Sequence, residues 1–115
     1  MTMNKVILTG RIAREPELKR SVAGVPVCRF SVAVEQRGKE KKAHFFPVVC
    51  FYGTAEFIKK YFEKGQAITL YGSLQNRDWE ESDGTRRHVT EILAQETYFC
   101  GGKPSGRREN KEDSR

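Results

Sequence analysis

The sequence predicts an all-β barrel that carries one short helix. Three features of the 115-residue chain predict it. Apolar residues alternate with polar ones, or β-branched and aromatic residues cluster, in five separate stretches. Turn-forming residues lie between most of those stretches. A single segment between the third and fourth stretches instead spaces its apolar residues as a helix does.

The first strand runs from Lys5 to Ile12 and holds Gly10, a position that suits a bulge or a close backbone approach. Glu15-Pro16-Glu17-Leu18 is expected to break or bend the chain, and Ser21 to Pro26 is turn chemistry. Val27 to Val34 is the second strand, with Cys28, Phe30, Val32 and Val34 facing one way and Arg29, Ser31 and Ala33 the other. Glu35 to Ala43 is a polar loop with the run Lys39-Glu40-Lys41-Lys42. Phe45 to Tyr52 is the third strand; it is apolar on both parities, which predicts cover on both faces.

The helix is expected over Ala55 to Glu63, capped by Thr54 and stopped by Gly65. Ala55, Ile58, Tyr61 and Phe62 form its docking face, and Lys59 and Lys60 stay in solvent. The fourth strand runs from Ala67 to Trp79, with Ile68, Leu70 and Leu74 on the core parity. Asp83-Gly84 signals a hairpin turn, and Arg87 to Phe99 is the last strand. Strands in this number, with the helix in this place, are the element order of a five-stranded Greek-key barrel, the OB-fold. The folded domain is expected over 1–102 and a disordered polar tail over 103–115.

The formal net charge is +6 and the pI about 9.4, which favours an anionic partner. No apolar run approaches a membrane span and no export signal precedes Val6, so the chain is expected in the cytoplasm, associated with the nucleoid if its partner is DNA. Cys28, Cys50 and Cys100 are far apart and form no C-x-x-C pair, and His44 and His88 have no evident partner. Those residues read as reduced, buried or half-buried thiols and isolated imidazoles, with neither a metal site nor a disulfide expected.

Trp79 is the most informative residue. It is the single tryptophan, and it shares the wet parity of its strand with Tyr71, Ser73, Gln75 and Arg77. A large indole offered to solvent beside a cation, on a basic protein, is the arrangement on which nucleobases stack. Parity alone leaves it equally readable as an edge aromatic that covers the barrel or a subunit contact.

The residues also carry a family resemblance. Asn4 to Ile12, Pro16-Glu17-Leu18-Lys19, Phe30 to Val34, Gly53-Thr54-Ala55-Glu56, Tyr61 to Gln66, Leu70 to Leu74, Arg77-Asp78-Trp79 and Asp83 to Ile92 follow in an order and spacing similar to bacterial single-stranded DNA-binding proteins. The resemblance covers roughly 4–102. It implies an OB-fold, a homotetramer and sequence-tolerant, cofactor-free binding of single strands during replication, recombination and repair. It makes Trp79, Phe46 and Tyr52 stacking residues, and it places Arg77, Arg87, Lys64, Lys19 and Asn4 along the DNA path. Arg86 and Arg29 are further candidates for phosphate contact. Without the resemblance, Phe46 and Tyr52 read more readily as core.

Three departures matter. No aromatic stands near Arg37 or Gly38, where some members carry a further stacking tryptophan, and Pro47 and Val48 replace a polar, basic pair. Members usually end in an acidic tip closed by phenylalanine that recruits repair and replication enzymes. Here 103–115 holds five Lys/Arg against three Asp/Glu and no aromatic, so such protein partners stay open but their usual contact is absent from this sequence.

Three other functions compete. A nuclease would need clustered carboxylates with a metal or a placed base, and the acidic residues are scattered. A dimeric, primosome-type replication-restart accessory protein has a similar fold, but Arg77-Asp78-Trp79 favours the parent family. A protein-interaction module would use the basic charge for solubility alone and predicts no salt-sensitive binding of oligonucleotides.

Overall fold

A computed structural model describes residues 1–38 and 42–100. The run Lys39-Glu40-Lys41-Lys42 lies largely outside the described residues, as does the whole tail over 103–115. The elements are β1 (Val6–Arg20), β2 (Pro26–Gln36), β3 (Lys42–Phe51), α1 (Tyr52–Tyr61), β4 (Ala67–Glu80) and β5 (Arg86–Phe99). The strands close a barrel in the order β1-β2-β3-β5-β4, with β4 returning to β1. Every pairing is antiparallel except β3 with β5, which meet in parallel at Val48–Ile92 and Val49–Leu93. This is the expected barrel with its helix between the third and fourth strands.

The alternation in β2 reads out directly. Cys28, Phe30 and Val32 turn inward and join Ile12, Val48, Cys50, Ile68, Leu70, Ile92 and Ala94 in the core. Ala55 and Ile58 from α1, with Phe62 just past its end, close the core. Cys28 and Cys50 are cross-strand partners inside it, and the Cys50 thiol donates to the Cys28 carbonyl at 3.7 Å. The hydrogen bond between the two side chains holds Cys28 below the ordinary thiol range. The same bond, together with burial, pushes Cys50 above it.

Several boundaries move. β1 does not end at Ile12 but continues through Glu15-Pro16-Glu17-Leu18, with register shifts between Ile12 and Arg14 and between Arg14 and Glu17. A bulge is where a strand can accept proline, which has no N–H to give. The helix starts three residues before Ala55, and its N-cap is Phe51 with no side-chain cap, so Thr54 does not cap it. It ends at Tyr61, where the Phe62 N–H still bonds to the Ile58 carbonyl at 3.0 Å. Gly65 then turns at φ 91°, and its N–H reaches the Ile12 carbonyl.

Two docking assignments change with the helix. Tyr61 is 41% exposed instead of docked. Lys59 is not only a solvating residue: its Nζ donates to the Pro16 carbonyl at 3.1 Å and ties α1 to the bulged part of β1.

Two glycines permit the closure. A Cβ at Gly10 would lie 2.3 Å from the Ala33 carbonyl oxygen, as the close-approach reading expects. One at Gly72 would lie 2.0 Å from the Leu93 oxygen, beside the register shift at Tyr71/Gly72. Beyond Gly72 the β4–β5 ribbon extends past the closed part of the barrel. Leu74, expected in the core, is 47% exposed. Glu81 and Thr85 close the ribbon's turn, Gly84 takes φ 89°, and Asp83 accepts from the Thr85 N–H at 2.9 Å. The bonds from Thr85 hold the Asp83 carboxyl below its usual range.

Candidate nucleic-acid interface

The outward positions of β2, β3 and the β4–β5 ribbon meet in one concave face. Arg29 is paired in register with Glu17 on β1 and with Val49 on β3, so all three side chains lie on one side of the sheet. On the ribbon, Gln75 pairs with Glu91, Arg77 with Val89 and Trp79 with Arg87. A cavity of about 280 Å³ results, lined by Arg14, Glu17, Arg29, Phe30, Pro47, Val48, Arg77, Trp79, Val89 and Glu91. A smaller one of about 110 Å³ adjoins it through Glu17 and Arg29 and adds Lys19 and Val27.

Trp79 is 39% exposed at the rim of this groove. The Arg77 guanidinium lies 4.3 Å from the centre of its ring, a cation–π contact that occupies one indole face. Arg77 Nε also donates to Glu91 Oε2 at 3.2 Å, and Arg29 Nη1 donates to Glu91 Oε1 at 2.7 Å. Gln75 Nε2 completes the set with a 2.9 Å bond to Oε2. Glu91 itself is only 2% exposed, although both arginines reach solvent.

The other expected site residues lie at different distances from this groove. Arg29 and Lys19 line the groove with Arg77 and Trp79. Arg87 stands across the ribbon from Trp79 and pairs with Glu81 at 3.1 Å, and Arg86 stands exposed one step nearer the turn. An exposed pair of this kind holds little energy, so Arg87 can exchange Glu81 for another anion.

Asn4 and Lys64 line neither concavity. The Asn4 side chain exchanges two 2.8 Å bonds with the backbone of Leu74, which staples the N-terminus to β4. Lys64 is exposed in the turn after α1, where its N–H bonds to Glu15.

The two remaining aromatics fall differently from expectation. Phe46 pairs with the core residue Val32 and so has inward parity, yet it is 36% exposed because it lies beyond the buried stretch Val48–Cys50. The expected cover on both faces of β3 therefore holds only at that buried end. Tyr52 is 64% exposed and turns the chain from β3 into α1 at φ 57°, a left-handed conformation that costs a non-glycine residue about 1–2 kcal/mol.

Phe45 and Phe51 have the outward parity of Pro47 and Val49, and Phe45 is 63% exposed. Local pattern does not single out either one, because Phe45 to Tyr52 is apolar on each parity and alternation cannot assign its faces. The pairing of Arg29 with Val49 supplies the missing information.

Neither histidine is isolated. His88 Nδ1 lies 2.6 Å from Asp78 Oδ1, and His44 Nε2 lies 2.6 Å from Gln36 Oε1. No group of three or more metal-ligating side chains occurs among the described residues.

A closed five-stranded barrel with a helix between its third and fourth strands is an OB-fold, and here an aromatic and cationic groove crosses its outer face. Residues 3–100 match the model of the single-strand binding protein family, and the chain belongs to that family. It is 42% identical over 101 residues to single-stranded DNA-binding protein 3 of Clostridium acetobutylicum, a match that spans 84% of this chain and 70% of that protein. It is 43% identical over 110 residues to the single-stranded DNA-binding protein of Clostridium tetani, spanning 90% and 75%. Among solved structures it resembles the Plasmodium falciparum SSB in complex with ssDNA. The TM-score is 0.77 at 26% identity, covering 88% of this chain and 97% of that one.

Proposed function

We propose that this protein binds single-stranded DNA without catalysis and with little regard to sequence. It would cover single strands exposed in replication, recombination and repair, and so block re-annealing and nuclease access. The observation that carries the reading is Trp79 at the rim of a groove that also holds Arg77, Arg29 and Lys19. A base stacks on the free face of the indole, and every base has a π-face, so affinity tolerates sequence. Arg77, Arg29, Lys19, Arg86 and Arg87 neutralise phosphates and release counterions. Phe45 and Phe51 extend the stacking surface along β3, with Phe46 at its exposed end and Tyr52 beyond it. Asn4 and Lys64 serve the fold more directly than the strand.

The resemblance implies a homotetramer, and an exposed face of the barrel supports assembly. Ile7 on β1 is 69% exposed and pairs in register with Tyr71 on β4. This Ile7–Tyr71 patch is our choice for contact with a second copy. A measured molar mass of four chains agrees with the parent family; two chains would favour the restart accessory. No helix among the described residues is long and apolar enough to cross a membrane, and action in the cytoplasm on nucleoid DNA is part of the same proposal.

The test is a titration with a thymidine oligomer and a matched duplex, followed by Trp79 fluorescence over a salt series. The single strand should quench the emission, and its affinity should fall by about 10²-fold or more between 50 and 200 mM salt if five or six phosphates are neutralised. Unchanged emission at saturation, or a flat salt response, would refute the mechanism. Metal-dependent cleavage of the oligomer would refute its non-catalytic character.

A further inference from the structure

The groove contains a carboxylate that an anion-binding surface does not obviously need. Glu91 is 2% exposed on β5, beneath a surface meant for phosphates. By charge alone it opposes binding, since it cancels one of the two guanidiniums beside it. Val49, paired with Leu93 two residues along β5 on the same face of the sheet, is fully buried and shows that an apolar side chain could fill such a place. A buried carboxylate is tolerated only when its hydrogen bonds are satisfied, and here Arg29, Arg77 and Gln75 satisfy both oxygens.

The geometry of those bonds shows what the carboxylate does. It takes Nε of Arg77, so both terminal nitrogens of that guanidinium are left for a ligand. It takes a single terminal nitrogen of Arg29. A free arginine side chain carries rotamer entropy that must be lost on binding. Anchoring at Glu91 removes much of that loss beforehand, and it fixes the Arg77 plane 4.3 Å from the indole centre.

We propose that Glu91 is a positioning residue for single-strand binding: it anchors Arg77 and Arg29 in the groove and, through Arg77, sets the plane of Trp79. The bound strand then meets a layered stack in which Arg77 covers one indole face and a base takes the other. This inference rests on single-strand binding at Trp79, which the wild-type titration tests independently.

Positioning and simple Coulomb attraction predict opposite signs. Glu91→Gln removes a negative charge from a cationic groove but leaves the side-chain shape. Attraction alone predicts tighter binding and a steeper salt dependence. Positioning predicts binding of a thymidine oligomer at least 5-fold weaker. It also predicts a salt slope shallower by roughly 0.7 for each phosphate that the arginines cease to neutralise. In the free variant, Trp79 should become more open to acrylamide quenching as Arg77 leaves its face.

Glu91→Asp keeps the charge and shortens the reach. It should also bind at least 5-fold more weakly, and it carries the test if the glutamine variant does not fold. Affinities are measured well below each variant's melting temperature, so a purely structural role would lower Tm and leave affinity and quenching unchanged. Equal or tighter binding by Glu91→Gln, or unchanged affinity in Glu91→Asp, would overturn the proposal while leaving wild-type DNA binding intact.

Discussion

β4 is one strand with two fates. From Ala67 to Gly72 its even-numbered residues are buried, with Ile68 and Leu70 at 0% exposure. From Ser73 to Glu80 the alternation continues, but Leu74 is 47% exposed and Asn76 and Asp78 are open to solvent. The odd-numbered side stays half-buried through Arg77. Gln75 and Arg77 are held there against Glu91, and Trp79 lines the groove beside them. Alternation therefore fixes which side chains share a face, while barrel closure decides which face is inside. Gly72 marks the change, because there β4 comes so close to Leu93 that a Cβ would not fit.

Leucine truncations break this comparison most sharply. Leu70→Ala should lower folding stability by about 2–5 kcal/mol in a denaturant titration, since it empties a fully packed site. Loss of less than 1 kcal/mol would mean that the closed half of β4 is not the core. Trp79→Ala lies in the ribbon and should leave the fold largely intact. It should cost about 1–3 kcal/mol of affinity for a thymidine oligomer. A loss of a few tenths would demote Trp79 from stacking residue to edge cover. Leu74→Ala should have the smallest effect, about 1 kcal/mol or less in stability, because half of its surface already meets water. A penalty equal to that of Leu70→Ala would show that a partner chain covers Leu74 in solution, and it would sharpen the assembly question.

The fold is largely legible in the residues. The alternation of Cys28, Phe30 and Val32, the Asp83-Gly84 turn and the close approach at Gly10 all read through to the structure. Local signals mislead where long-range pairing overrides them. Pro16 reads as a breaker, but β1 absorbs it between register shifts and continues to Arg20. Thr54 reads as a cap, but the chain enters α1 two residues earlier, through a left-handed Tyr52. Within the candidate site, Trp79, Arg77, Arg29 and Lys19 do converge. Asn4 and Lys64 do not, and Phe45, Phe51 and Glu91 join the face without a local signal to announce them. A lone glutamate in a strand gives no sign that two arginines from distant segments will meet on it.

The sequence by itself determined the strand periodicity, the place of the helix, the cationic character and the offer of an indole to solvent. These follow from side-chain polarity and backbone sterics within a few residues of chain. The tertiary structure alone decided the rest: which parity of β3 lines the groove, where β4 leaves the core, and that Glu91 is buried between Arg29 and Arg77. Those outcomes depend on contacts between residues 14 to 62 positions apart, as in Arg77–Glu91 and Arg29–Glu91, and no local pattern encodes them before the barrel closes.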